Sequence, residues 1–368
     1  MGHVELLDPA AAGEDIRSRW RELALRRENP FLTPEWFEAW HDPAREAAWV
    51  LAWRQPDGEV AAVLPLLLAR DSVARSLRFP GADNGDWFGI ACEPEDEIEA
   101  AAACLAAIHE RSREWDVLRL DRVEDRGAWR AGEGAPRPRP FRSPDVLPYL
   151  AFGEDGYAGW LASRSRNFRS QLGRRERRAR RDHEVTFGGT PDRATLSAAL
   201  ETLFGFHEAR REMQGGEGVL DRRARAAYGR FAESSLERGW LRMHRLDLDG
   251  EPVASWYGWR VGGRYLYGVS GFDPEREDLA VGTILLAHTI DRAATEGAAI
   301  YDFLWGAESY KDRYATGRRT VISLSAAAGL RGRLALAGRR GLNRASRSLP
   351  DRPRQRLRAL RARARRPR

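Results

Sequence analysis

The residues best suited to carry out chemistry lie in one stretch of the chain, between Gly250 and Tyr314. In this stretch a strand ends in the glycine-containing loop 267–274, a helix opens at 281–283, and a second strand covers 300–304. The free N–H groups at a helix N-terminus bind phosphate, and glycine lets the backbone approach it closely. The order strand, loop, helix, strand therefore suits a phosphate-bearing donor such as an acyl-CoA.

Transfer of an acyl group from a thioester to an amine needs a group that takes the proton of the amine, a hydrogen-bond donor for the oxyanion and an acid for the thiolate. Tyr310 and Tyr314 are candidates for the acid, although Tyr310 could equally be a packed aromatic residue. Asp302 and Glu308 are candidates for orienting or deprotonating the amine, directly or through water. Because Asp302 lies inside an apolar strand, it either serves the site or is a buried structural carboxylate with partners.

Lys311 is the only lysine in a chain with 61 basic residues. A compact ammonium group and a planar guanidinium group are not interchangeable at a binding site. We therefore expect Lys311 to bind an anion or the acceptor. The alternatives are an exposed lysine or an ion-pair partner of Asp302 or Glu308.

The elements that must position these residues divide the 368-residue chain into four parts. The predicted domains are residues 1–126 and 157–330, separated by a linker or long loop at 127–156 and followed by a basic tail at 331–368. In the second domain, three strands joined by tight glycine turns, the first at Asp249-Gly250, predict an antiparallel meander. Each half of the chain runs helices, strands, a helix and a strand, which indicates a duplication.

Arginine is concentrated in two segments of the chain. Residues 164–181 contain nine arginines and predict a helix that is either a solvated basic face or binds a phosphate-bearing acceptor, such as a nucleotide sugar or lipid-linked glycan. Residues 331–368 contain 15 arginines and one acid, so this tail carries +14 and the rest of the chain −7. We expect the tail to be disordered or a basic helix. It suits an anionic membrane surface or, without sequence specificity, a nucleic acid.

Several classes of protein are disfavoured by the sequence. No run approaches the ~20 apolar residues of a membrane-spanning helix, and the first residues show no secretory signal. The two cysteines, Cys92 and Cys104, lack the spacing of a metal site or a disulfide framework. We therefore expect a cytoplasmic enzyme that uses no metal and that could lie peripherally at the inner face of the membrane.

Several motifs resemble those of the CelD-type, BioF-like acetyltransferases of the GNAT superfamily, which are related to the FemAB peptidoglycan transferases. The most specific is the block 302–306, Asp-Phe-Leu-Trp-Gly, together with Glu308, Tyr310 and Lys311. The weaker matches are residues 29–36, 165–169, 271–274 and 281–283. The resemblance is discontinuous and extends from about residue 30 to residue 325.

This resemblance implies an α/β fold of two tandem GNAT-like domains, each a mixed, mostly antiparallel sheet flanked by helices. It implies that Val281, Gly282 and Thr283 hold the pyrophosphate of the CoA. The residues expected to bind the acceptor are Lys311, Arg166, Asn167 and Arg169.

The sequence therefore predicts an acyl-CoA-dependent N-acyltransferase, such as an acetyltransferase, with acetyl-CoA or another acyl-CoA as co-substrate. Its expected acceptor is an amine of a cell-envelope or polysaccharide-related small molecule. Two alternatives remain open. One is a FemAB-like aminoacyl transferase that uses aminoacyl-tRNA, which the basic segments favour. The other is a non-catalytic GNAT-like module that tethers a partner.

Overall fold

A computed structural model describes residues 2–70, 73–124, 127–130, 137–213, 220–306 and 310–347 of the chain. The chain falls into two units. Unit 1 comprises Met1–Asp145 and Thr320–Arg368, and unit 2 comprises Val146–Arg319.

The helices and strands alternate in both units. The α-helices are α1 Glu14–Arg26, α2 Pro34–Trp40, α3 Glu97–Glu110, α4 Gly156–Ala162, α5 Arg166–Asp182, α6 Leu196–Met213, α7 Arg222–Glu237, α8 Val281–Thr295, α9 Lys311–Tyr314 and α10 Gly329–Arg347. Short 3-10 turns occur at Pro30–Leu32, Ala128–Arg130 and Pro274–Leu279. The strands are β1 His3–Leu7, β2 Glu46–Arg54, β3 Val60–Arg70, β4 Arg75–Arg78, β5 Ala91–Cys92, β6 Val117–Glu124, β7 Arg139–Pro140, β8 Asp145–Ala151, β9 Val185–Gly188, β10 Leu241–Leu248, β11 Glu251–Val261, β12 Arg264–Phe272, β13 Ile300–Asp302 and β14 Gly317–Ala327.

Unit 1 is built on a sheet with the strand order β1-β2-β3-β4-β6-β14, in which β5 pairs with β3 and β7 pairs with β14. The pairing of β4 with β6 is parallel, and the other pairings in this sheet are antiparallel. Strand β3 is a run of alanine, valine and leucine that is buried over Val60–Leu68, as expected for a strand covered on both faces. Helix α1 packs Trp20 and Leu23 into the core on this sheet.

Unit 2 is built on a sheet with the strand order β8-β13-β12-β11-β10-β9. Strands β10, β11 and β12 form the predicted antiparallel meander, and only the pairing of β12 with β13 is parallel. The turn between β10 and β11 places Asp249 and Gly250 at positive φ angles of 54° and 84°, as a tight hairpin requires. Helix α8 crosses one face of the sheet and buries Ile284 and Ile290 in an aromatic core.

The two units repeat one order of elements, which confirms the predicted duplication. From β1 in unit 1 and from β9 in unit 2, the chain runs through a strand and two helices and then through three antiparallel strands, before it crosses through a helix to a parallel strand. In unit 2, strand β8 and helices α4 and α5 precede this order. Helix α3 therefore takes the same place in unit 1 that α8 takes in unit 2. The fold class is the predicted one: mixed, mostly antiparallel sheets flanked by helices in two similar units.

The bounds of the units differ from those of the predicted domains. The segment 127–156 holds β7 and β8 as well as loops, and the units divide within it, between Asp145 and Val146. Strand β14 begins in unit 2, and its residues from Thr320 onward belong to unit 1. Helix α10 covers residues 331–347 of the predicted tail, because alanine, leucine and arginine favour helix. Residues 348–368 lie outside the described residues.

Within the described ranges, no helix has the length and apolar character needed to cross a membrane.

Candidate active site

The start of helix α8 offers two backbone amides to a ligand. Ala280 precedes the helix with a positive φ of 54° and provides no side-chain cap. The amides of Thr283 and Ile284 donate to the Ala280 carbonyl at 2.9 and 3.2 Å. Among the described residues, the amides of Val281 and Gly282 find no acceptor. Free amides and the positive end of the helix dipole together attract an anion.

Gly282 packs closely against Phe272. A Cβ atom at Gly282 would lie 3.0 Å from Cδ1 of Phe272, a tighter contact than side chains normally make. The guanidinium of Arg210 lies 5.3 Å from the centre of the Phe272 ring. The end of β12 is therefore fixed against the first turn of α8.

The arginine-rich helix α5 contacts the same end of α8. Its first turn is capped by Ser165, whose hydroxyl accepts from the Phe168 amide at 3.2 Å. Nη1 of Arg175 donates to the Thr283 hydroxyl at 3.3 Å, and Arg178 forms an ion pair with Asp278 at 2.8 Å. Arg175 thus adds a cation beside the free amides. The sequence predicted a basic helix but could not show which of its arginines reaches α8.

Strand β12 has an open edge beyond its third residue. It pairs with β13 only from Arg264 to Leu266, yet continues to Phe272. Beyond Asp302 the chain turns away, and the Phe303 amide donates to the Pro148 carbonyl at 3.1 Å. In the described part of unit 2, no strand covers this side of residues 267–272. An extended ligand could pair with the open backbone there.

A β-bulge in β12 brings two hydroxyl groups together. The register with β11 shifts between Tyr257 and Gly258, which places an extra residue between Tyr267 and Val269. The hydroxyls of Tyr267 and Ser270 are hydrogen-bonded to each other. The hydroxyl of the predicted catalytic residue Tyr310 lies 3.2 Å from that of Tyr267.

Lys311 lies beside these hydroxyls, but it is buried. Its side chain reaches inward, and Nζ donates to the Trp305 carbonyl at 3.2 Å. Nζ also lies 5.5 Å from the centre of the Tyr267 ring, a cation–π distance. The binding role of this lysine stays a prediction. Its contacts show a cation held against Tyr267 and a carbonyl, rather than an exposed anion receptor.

His207 lies beside the hydroxyl cluster, although the sequence favours a packed or surface histidine over a base at this position. Its Nδ1 donates to the Ser270 carbonyl at 3.1 Å, which leaves Nε2 with a free lone pair. Nε2 is buried without a hydrogen-bond partner in the described structure. Burial lowers the pKa of His207, and the nearby Arg211, Arg210 and Arg225 lower it further, so the imidazole is neutral at pH 7. A neutral imidazole with one nitrogen fixed and the other free is suited to accept a proton.

Asp302 is a structural carboxylate, so the expectation that it acts as a catalytic residue does not agree with its contacts. It is completely buried, and its Oδ2 accepts from Arg264 at 3.0 Å and from Arg319 at 2.6 Å. Its Oδ1 accepts from the Leu304 amide at 3.0 Å. Both oxygens are therefore engaged in holding the end of β13.

The other predicted residues lie apart from the free amides or outside the described structure. Arg169 donates to the carbonyls of Ala162 and Arg164, so it caps the end of α4 rather than facing a ligand. Asn167 is exposed and accepts from Gln171 at 3.2 Å. Arg166 is exposed on α5. Glu308 lies outside the described residues.

Unit 2 also contains a cavity of about 450 Å³ at the other end of α8, lined by Phe187, Arg242, His244, His288 and Arg292 among others. Burial lowers the pKa of His244 to about 3 and that of His288 to about 4, so both imidazoles are neutral in the folded protein at pH 7. None of the predicted site residues lines this cavity.

Among the described residues, no group of three or more His, Cys, Asp or Glu side chains is placed to hold a metal ion.

Comparison with known proteins identifies the segment that contains this site. The family model described as an acetyltransferase (GNAT) domain matches residues 166–312. Residues 166–312 are a GNAT acetyltransferase domain. No curated protein sequence matches the chain. The GNAT domain spans α5 to α9, which includes the free amides of α8 and the hydroxyl cluster on β12.

Solved structures resemble the whole chain rather than the GNAT domain alone. FemX is 13% identical with a TM-score of 0.62, and the match covers 91% of this chain and 99% of FemX. The C-terminal domain of a putative lysylphosphatidylglycerol synthetase from Agrobacterium fabrum is 10% identical with a TM-score of 0.56, over 89% of this chain and 95% of that domain. A conserved protein of unknown function from Bacteroides thetaiotaomicron is 11% identical with a TM-score of 0.52, over 89% of this chain and all of that one.

These likenesses show a shared fold across both units. The match of residues 166–312 to the GNAT domain confirms that the protein is an acyltransferase.

Proposed function

We propose that unit 2 transfers an acyl group from acyl-CoA to an amine. The observation that carries this proposal is the start of α8, where the Val281 and Gly282 amides are free and Arg175 contacts Thr283. A pyrophosphate could accept from both amides and pair with the guanidinium. Helix α8 has 15 residues, so its dipole adds to the attraction.

The open edge of β12 supports the same donor. The pantetheine arm of a CoA is a thin, extended chain with two amide groups, and such a chain can pair with an unpaired strand edge. Bound along residues 267–272 with its pyrophosphate on α8, it would place the thioester beside the hydroxyls of Tyr267, Ser270 and Tyr310.

The reaction then needs two proton transfers. The amine nitrogen attacks the thioester carbonyl, a C–N bond forms, and the C–S bond breaks. Nε2 of His207 takes the proton that the amine loses. The hydroxyl of Tyr310 or Tyr267 gives a proton to the departing thiolate. The Lys311 ammonium then stabilises the negative charge on the oxygen of the tyrosine that gave the proton. Glu308 remains a predicted participant in handling the acceptor.

The acceptor class rests on the resemblance to the FemAB group. We propose an amine of a cell-envelope or polysaccharide-related small molecule.

The test is to measure binding of acetyl-CoA and longer acyl-CoAs by calorimetry, using the full chain. We expect Arg175→Ala to weaken binding about tenfold, since a hydrogen bond to a charged group contributes roughly 1.5–3 kcal/mol. Arg177→Ala is the matched control, because Arg177 is exposed on the same helix and has no described partner. If the wild type binds no acyl-CoA, or both variants weaken binding equally, the assigned donor site is wrong.

A second candidate donor is aminoacyl-tRNA. Arg166, Arg174 and Arg177 are exposed along α5 and form no hydrogen bond or ion pair with other described residues. Such a row of unpaired cations suits a polyanion. Binding of aminoacyl-tRNA that weakens with Arg177→Ala, with no binding of acyl-CoA, would favour this candidate.

A further inference from the structure

Helix α10 of unit 1 packs on the protein through Gly332, Ala335 and Leu336 and leaves two other leucines in solvent. A Cβ atom at Gly332 would lie 1.9 Å from the carbonyl oxygen of Asp116, so the helix touches the unit through bare backbone there. Ala335 is buried against Ala74 and Val117. In contrast, Leu330 is 72% exposed and Leu334 is 64% exposed. The helix therefore has a second apolar face that unit 1 does not cover, which a helix that only packs on a soluble domain does not need.

The two leucines form one apolar stripe with arginines on either side. They are four residues apart, so they lie on the same helical face. Arg331 and Arg333 are exposed, and Nε of Arg331 donates to the Val73 carbonyl at 2.9 Å. Val73 is itself 57% exposed. The stripe therefore combines apolar side chains with adjacent cations.

The charge of the neighbouring sequence decides what can cover this stripe. Residues 331–368 hold 15 arginines and one acid, Asp351. A second copy of the chain would bring the same dense positive charge against itself. A nucleic acid would pair with the arginines but would leave the leucines in water. An anionic lipid surface satisfies both, because phosphates pair with arginine while leucine enters the acyl boundary.

We propose that helix α10, with the arginine-rich segment that follows it, binds the surface of an anionic lipid bilayer. Leu330 and Leu334 insert at the boundary between head groups and acyl chains. Arg331 and Arg333 contact the lipid phosphates. Because α10 belongs to unit 1 and the candidate active site belongs to unit 2, this proposal does not depend on the acyl donor.

The experiment is co-sedimentation of the full chain with phosphatidylcholine vesicles, with and without phosphatidylglycerol. We expect binding only when the anionic lipid is present, and we expect added salt to weaken it. Replacing both leucines, as Leu330→Ser with Leu334→Ser, should weaken binding about a hundredfold, roughly tenfold for each side chain. Both side chains are exposed, so the variant should keep the fold, which circular dichroism would check.

The matched control is Ile98→Ser, because Ile98 is 56% exposed on α3 of the same unit. It should leave vesicle binding unchanged. Three results would overturn the proposal: vesicle binding that survives loss of both leucines, binding to a nucleic acid with no binding to vesicles, and leucine-dependent self-association with no binding to vesicles.

Discussion

Helices α3 and α8 occupy the same place in the two units, yet their first turns have opposite electrostatic character. Helix α3 begins Glu97-Ile98-Glu99, and buried Glu97 pairs with Arg27 at 2.9 Å. Helix α8 begins Val281-Gly282-Thr283, has no acid in its first turn, and receives Arg175 from α5. A carboxylate at a helix N-terminus occupies the position that an anionic ligand would take.

The difference in charge between the two helix starts favours unit 2 as the unit that binds a phosphate-bearing donor. In unit 1 the helix start is neutralised from within the chain, so the unit gains stability there and repels an anion. In unit 2 the same position is left free. Under the proposed function, unit 2 binds the donor at this helix start, and the acidic first turn of α3 leaves no such place in unit 1.

The two units also differ at a buried carboxylate on their parallel strand, and replacing this carboxylate should have the largest effect on stability. Asp302 on β13 accepts from Arg264 and Arg319, whereas the ion pair that Asp121 on β6 makes among the described residues is with Arg119, at 2.8 Å. We expect Asp302→Asn to lower the free energy of unfolding by about 3–5 kcal/mol, because two buried guanidinium groups lose their charge partner. Urea unfolding would measure it.

Two controls accompany that experiment. Asp121→Asn should cost less than Asp302→Asn, and Asp312→Asn, which breaks the exposed pair with Arg318, should cost roughly 0–1 kcal/mol. Equal costs for Asp302→Asn and Asp312→Asn would show that the buried network is not what holds β13.

The second prediction concerns a proton-accepting residue that unit 2 has and unit 1 lacks at the matching helix. Helix α1 of unit 1 contains no histidine, whereas α6, at the same place in unit 2, carries His207. His207→Asn keeps a donor for the Ser270 carbonyl but removes the base, so kcat/KM should fall about a hundredfold. The assay would follow thiol release from acetyl-CoA with glucosamine as the probe amine.

The pH dependence has a definite sign. Burial holds the pKa of His207 below its usual 6.5, so the imidazole becomes protonated and inactive only when the pH falls below that value. The wild type should therefore lose kcat/KM on the acid side of pH 6.5, and His207→Asn should lack that loss. His183→Asn, outside the site, should behave as the wild type. If His207→Asn keeps both the rate and the acid limb, another group is the base.

The smallest effect is the most direct test of the comparison. Thr283→Glu copies into α8 the acid that α3 carries at Glu99. It should weaken acyl-CoA binding about tenfold and stabilise the fold by about 0.3–1 kcal/mol through the helix dipole. Thr283→Gln, of the same size but uncharged, should do neither. Calorimetry would measure the effect on acyl-CoA binding, and thermal unfolding would measure the effect on stability. If both variants bind acyl-CoA with similar affinity, the phosphate of the donor does not bind at this helix start.

The sequence predicted the parts of this site that depend on neighbouring residues. The meander follows from short turns such as Asp249-Gly250, and the helix start at Val281 follows from a glycine loop ahead of an apolar run. Local pattern could not assign Asp302, because its partners Arg264 and Arg319 lie 38 and 17 residues away. Nor could it favour His207 as a base over a packed or surface histidine, because the tautomer of His207 is fixed by the Ser270 carbonyl, 63 residues further along the chain.

Lys311 shows a different limit of sequence reasoning. Its rarity drew attention to the segment beside the hydroxyl cluster, and its role in binding stays a prediction. Rarity carries no information about burial, however, and the ammonium group points at Trp305 and Tyr267 rather than into solvent.

The path of strand β14 has a consequence for the order in which the protein is made. Residues 320–327 complete the sheet of unit 1 by pairing with β6, but they leave the ribosome only after the whole of unit 2. Unit 2 can therefore close while unit 1 still exposes the edge of β6. Until residues 320–327 have been made, the sheet of unit 1 lacks its last strand, and the edge of β6 is open to wrong partners.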